Sequence, residues 1–180
     1  MKTALQSTKI LSFVIAAVLL PFIALSFIAN GIDNPIPEKT IADKVVIEKS
    51  KRRMTLFCKG TAIKIYVVSI GRVPNGKKTQ EGDGRTPEGF YTIDRRKIDS
   101  SYHRALHLSY PNADDIAQAK GRGVLPGGDI MIHGLPNGIG LIGKLHRKRD
   151  WTRGCIAVTN AEIEEIWRLV PDGTVVEIQP

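Results

Sequence analysis

The sequence predicts a mainly β fold with minor α, on three observations. Between Lys44 and Ile70, apolar and polar residues alternate at period two, and the apolar positions favour valine, isoleucine, tyrosine and phenylalanine. Helical periodicity is confined to Asp114–Lys120 and to the residues after Thr159. With 180 residues, 42% of them hydrophobic, the chain has enough apolar material for one ordinary domain and a proper core.

Residues 1–29 stand apart from that domain. Ile10 to Ala29 follows Lys2 and Lys9, carries no charge, and is apolar apart from Ser12 and Ser26. It reads as an export signal or an N-terminal membrane anchor, and Ala24-Leu25-Ser26 offers a small-x-small cleavage site. Either way the rest is expected outside the cytoplasm, in the periplasm or cell envelope. Residues 30–43, with Gly31, Pro35 and Pro37 and no periodicity, read as a linker, leaving 44–180 as the folded domain. The formal net charge is +8; beyond Lys2 and Lys9, 24 basic residues face 18 acidic ones. Such a surface suits anionic surroundings, and charge alone does not choose among nucleic acid, lipid and wall polymer. Export and the dispersed cations, with no interleaved aromatics, argue against nucleic acid. Membrane contact is expected only through residues 10–29.

Strands are expected at Lys44–Lys49, Met54–Lys59 and Ala62–Ile70 as an antiparallel meander, with a polar loop over Gly71–Gly89 and a strand at Phe90–Asp94. Met54, Leu56 and Cys58 would share one face, which reads Cys58 as a small core residue; a disulfide with Cys155 is the competing reading. A strand over Tyr102–Tyr110 would bring His103 or His107 to a cleft. Their four-residue spacing also suits a metal, but there is no HExxH or CxxC pattern, so neither metal nor cofactor is expected. The helix Asp114–Lys120 stops at Gly121 and a loop runs to Gly128. Thr159-Asn160-Ala161-Glu162 is a capping box. Ile163, Ile166, Trp167 and Val170 follow as an inward stripe, with Trp167 in the core. After a turn at Pro171–Thr174, Val175–Gln179 closes the sheet.

The stretch with the most chemistry is Asp150–Asn160, DWTRGCIAVTN. Cys155 follows a glycine and enters the apolar run Ile156–Val158, so its thiol would sit where a loop meets a buried strand. A thiol with pKa near ~8.5 needs a base to act as a nucleophile at neutral pH. The candidate is His133, delivered by the short strand Ile130–Ile132. A lone histidine at a strand end is more often structural, and its pairing with a glycine-preceded cysteine favours the catalytic reading.

These residues resemble the L,D-transpeptidase catalytic domain family, also called YkuD-type. Gly84–Tyr91 resembles its TP-x-G-x-[FY] segment, Ile132-His133-Gly134 its HG motif, and Thr152–Ile156 its [ST]-x-G-C-[VI] motif. The opening strands around Lys59-Gly60 look like its first hairpin. The resemblance implies an L,D-transpeptidase-like β-sandwich with a C-terminal helix near the active-site cysteine. It implies Cys155 as nucleophile, His133 as base, and the Gly134 carbonyl orienting the imidazole. Backbone N–H groups of Arg153, Gly154 and Cys155 would form the oxyanion hole, and Gly154 is expected to leave room for substrate. Trp151, Thr152 and Arg153 are candidate substrate contacts.

The implied partner is bacterial peptidoglycan, attacked at a stem-peptide carbonyl through a cysteine acyl-enzyme. Arg153 stands where the family commonly has histidine, and Ala157 where it often has arginine or asparagine. DWTRGCIAVTN and SYPNADD look like a subgroup linked to removing crosslinks or wall-attached lipoprotein. Three readings therefore stand: a transpeptidase, a peptidoglycan hydrolase or amidase of the same fold, and a non-catalytic wall-binding module.

Overall fold

Eight strands hydrogen-bond in the order β3-β2-β1-β8-β4-β5-β6-β7. They are β1 Lys44–Glu48, β2 Arg53–Cys58, β3 Thr61–Val67, β4 Gly89–Ser100, β5 His103–Leu108, β6 Met131–His133, β7 Ile156–Ala157 and β8 Val175–Gln179. Two α-helices, α1 Ala113–Gly121 and α2 Asn160–Leu169, complete the mainly β, minor α class. The computed structural model describes residues 37 and 39–180. The expected signal or anchor and most of the linker lie outside the described residues. Among those described, no helix is long and apolar enough to cross a membrane. Ala42, expected in the linker, is 1% exposed and donates to the Leu169 carbonyl, so the fold begins before β1.

The meander forms as its alternation dictates: β1 pairs antiparallel with β2, and β2 with β3. Val45, Ile47, Met54 and Leu56 are fully buried. The last strand does not close an edge. β8 enters between β1, to which it is parallel, and β4, to which it is antiparallel. Both neighbours offer unpaired backbone groups there, and Val176 and Ile178 continue the buried face. β4 is also longer than the predicted Phe90–Asp94. Its first residues pair with β8, and its remainder pairs with β5 across two register shifts. Bulges of this kind bend a strand and let it serve two halves of a sheet.

Expectations for four residues are corrected. Cys58 lies beyond the bulge at Leu56/Phe57 and is half-buried rather than core; both cysteines are free thiols. Trp167 is likewise half-buried, because Arg96 and Arg104 stack on its ring with guanidinium carbons 4.5 and 5.0 Å from the ring centre. His103 and His107 face carboxylates rather than the cleft: His103 Nε2 lies 2.7 Å from Glu164, and His107 Nδ1 2.6 Å from Asp94.

The capping box at Thr159 and Glu162 starts α2 as expected. Only Val158 and Thr159 separate β7 from α2, so the C-terminal helix begins beside the cysteine loop. Asn112 and Asp115 cap α1 in the same way. A 3-10 segment, Gly140–Lys148, lacks any sequence signal because Gly143 breaks its periodicity at φ 48°.

Candidate active site

Strand register brings the two sequence-predicted groups to one side of the sheet. β6 and β7 run parallel, with His133 opposite Ala157 and Ile132 opposite Ile156. Paired residues share a face and alternate residues return to it, so Cys155, two before Ala157, lies on the His133 side. Both side chains border one cleft of about 650 Å³.

The cysteine loop is fastened at both ends. Asp150 accepts from Arg52 Nε at 2.9 Å and Nη2 at 2.7 Å, and from the Ile70 N–H at 3.1 Å. Thr152 N–H donates to the Ile70 carbonyl and Arg72 N–H to the Thr152 carbonyl, while Ser69 and Ala157 exchange both backbone bonds. Inside the loop, Thr152 Oγ1 donates to the Cys155 carbonyl at 2.7 Å and accepts the Gly154 N–H at 3.1 Å. Thr152 is 4% exposed and its hydroxyl is spent holding the turn that presents Cys155. Trp151 borders the cleft half-buried, and Arg153 borders it exposed.

Gly154 is required by packing within the protein, a different reason from room for substrate. Its φ is +133°, and a Cβ would stand 2.6 Å from the Arg85 carbonyl oxygen and 3.1 Å from Ile130 Cδ1. Gly154→Ala is expected to cost about 2 kcal/mol or more of stability, read by urea unfolding. A loss below a few tenths would mean that the loop gives way freely.

His133 is 4% exposed. Its Nδ1 lies 2.7 Å from the Gly134 carbonyl oxygen. A carbonyl only accepts, so Nδ1 carries the proton and Nε2 keeps its lone pair. Asn160 Oδ1 accepts the Leu135 N–H at 2.8 Å and fixes the backbone after Gly134, and it packs so closely that a Cβ at Gly134 would meet it at 2.9 Å. The Tyr102 and Trp151 rings lie 4.5 and 5.8 Å from the imidazole. Burial lowers the His133 pKa to about 4, against a smaller opposing effect of the Gly134 bond. Burial likewise raises the Cys155 pKa, opposed by an N–H bond from Met131. Cys155 Sγ donates to the Asp129 carbonyl at 3.4 Å. Burial thus favours the uncharged form of both groups, a thiol at Cys155 and a neutral imidazole at His133.

Sequence reasoning missed Tyr102 and His146. Tyr102 sits on the turn between β4 and β5 instead of starting a strand, and only that fold carries it to His133. His146 is 6% exposed beneath Trp151, whose Nε1 points to its Nδ1 at 3.5 Å. No motif marks it in the basic run Lys144–Arg149.

Residues 42–178 match the family model YkuD, the L,D-transpeptidase catalytic domain. YafK of Escherichia coli (strain K12), assigned by name to the L,D-transpeptidases, is 36% identical over 107 residues, covering 58% of this chain and 35% of YafK. The chain thus spans about a third of the length of that curated relative. The helical cell shape determining protein Pgp2 of Campylobacter jejuni superposes with a TM-score of 0.58 at 30% identity, over 78% of this chain and 48% of Pgp2. Bd1075 of Bdellovibrio bacteriovorus shares the fold, with a TM-score of 0.55 at 23% identity over 82% of this chain and 50% of its own.

Proposed function

Because the chain belongs to the YkuD L,D-transpeptidase catalytic domain family, we propose that it is an exported cell-wall enzyme that acts on peptidoglycan stem peptides through an acyl-enzyme on Cys155. The observation that carries this reading is the pair of side chains on one cleft, with the His133 tautomer fixed by the Gly134 carbonyl. Nε2 of His133 takes the thiol proton as the sulfur attacks a stem-peptide carbonyl. The tetrahedral oxyanion is stabilised by backbone donors at Arg153 and Cys155, since the Gly154 N–H is already bonded to Thr152. Collapse breaks the C–N bond, and the leaving amine carries off the proton held by His133. A second amine then attacks the thioester, gives its proton through His133 and releases the thiol.

Trp151 would pack against the stem, and exposed Arg153 would pair with one of its carboxylates. The acceptor is the finer part of the proposal. Ala157 is fully buried and brings no polar group to the cleft, and water is the alternative acceptor. Hydrolysis of the same thioester would remove crosslinks or attached lipoprotein. Mass spectrometry of defined muropeptides after incubation with the enzyme decides between them. The expected product gains a second stem and loses the terminal residue. A product that gains only water makes the enzyme a hydrolase. Unchanged muropeptides would favour a wall-binding module and overturn the catalytic reading.

A further inference from the structure

Resting on the proposed thiol chemistry, the geometry points to Lys78 as a positioning residue of the cysteine site, which fixes a positive charge and a loop wall on the cleft that holds Cys155. Lysine ordinarily keeps its ammonium in water, yet Lys78 is 5% exposed and borders the cleft that holds Cys155. Its Nζ donates to Asp83 Oδ1 at 3.0 Å and to the Gln80 carbonyl at 2.9 Å. The Asp83 carboxylate is equally enclosed, and also accepts the N–H groups of Thr79 at 2.8 Å, Gln80 at 3.2 Å and Arg85 at 3.0 Å. These bonds close Lys78–Arg85 into a fixed loop.

The loop packs against the cysteine turn and against the stretch that leads to Asp129. At one end, the Arg85 carbonyl fills the space a Gly154 Cβ would need. In its middle, Glu81 N–H donates to the Leu125 carbonyl, on the stretch that leads to Asp129, whose own carbonyl accepts from the Cys155 thiol. Asp129 is held at φ 53°, so the backbone on that side is set as well.

A buried ion pair is weak evidence for stability, because desolvation offsets most of the attraction. A lysine enclosed on the same cleft as a thiol has another use. The charged or titratable groups that line the cleft with Cys155 are Lys78 and Glu81 from the loop, Lys97 from β4, Tyr102 from the turn after β4, Asp129 before β6, His133 from β6, and Arg153 from the cysteine loop. Lys97 and Arg153 are exposed, so water screens them, whereas Lys78 acts from a fixed low-dielectric position. Asp129 opposes the thiolate, and the Lys78 charge, the smaller influence, favours it.

The test is the pH dependence of Cys155 alkylation by iodoacetamide in the full chain, with Cys58→Ser throughout to remove the second thiol. Lys78→Met is expected to raise the midpoint by a few tenths of a pH unit and to slow alkylation at pH 7 about twofold, while Lys78→Arg stays near the parent. Asp83→Asn keeps the ammonium and removes its counter-charge, so its midpoint is expected to fall. Unchanged midpoints in folded Lys78→Met and Asp83→Asn overturn the assignment and leave Lys78 a structural residue. Should Lys78→Met fail to fold, Asp83→Asn decides alone, a lower midpoint supporting the role and an unmoved one rejecting it. The readout uses no peptidoglycan, so inert muropeptides would count against the proposed function without touching this result.

Discussion

Cys155→Ala will lower turnover of defined muropeptides by at least about 10⁴-fold, because no acyl-enzyme can form without the sulfur. The fold should survive the change. Thr152, Asp150 and the Ser69–Ala157 bonds hold the loop through atoms other than the thiol, so the melting temperature is expected to stay within a few degrees of the parent. Cys155→Ser should be nearly as inactive. A hydroxyl holds its proton far more tightly than a thiol, and an imidazole with pKa of about 4 is a weak base for removing it. Residual turnover within tenfold of the parent in either variant would remove the cysteine mechanism.

The parts of this site that were legible in the sequence are those fixed by local rules. Thr159 and Glu162 cap a helix through contacts three residues apart, and the alternation in β1 to β3 follows from one buried face. His133 and Cys155 were visible because each stands at the end of an apolar run next to glycine. What was not legible depends on distant partners. The place of β8 between β1 and β4 is decided by which backbone groups those strands leave unpaired, and Val175–Gln179 alone carries no mark of it. Gly154 was read as making room for substrate because the Arg85 carbonyl that crowds it lies far along the chain. Trp167 fits a core stripe in the sequence, but Arg96 and Arg104, brought by β4 and β5, stack on its ring. Lys78 and Asp83 look like ordinary solvated loop charges until the loop closes over them.

The second large effect is expected at His133. His133→Gln removes the group that takes the thiol proton and should lower kcat/KM by about 10²- to 10⁴-fold. The wild-type rate carries a further signature. With the imidazole pKa near 4, the base stays unprotonated through pH 5 to 6, so the acid limb of the profile should fall near pH 4 instead of near 6.5. An acid limb centred at 6.5 would mean that the Tyr102 and Trp151 rings do not dehydrate the imidazole as their contacts imply. Stability follows the same group. Between about pH 6.5 and 4, the unfolded chain binds a proton that the folded chain refuses, so the contribution is complete above 6.5 and is lost as the pH falls towards 4. For so enclosed a ring the limit is on the order of 3 kcal/mol. His146, also lowered by burial, and the carboxylates of Asp83 and Glu162, lowered by their hydrogen bonds, slope the same way in both proteins. The difference between wild type and His133→Gln in urea midpoint at pH 7 and pH 4.5 therefore isolates His133: the variant should lose less on acidification. Equal losses would place the imidazole in water and with it the premise that burial, through the aromatic pair, sets the reactivity of the cysteine site.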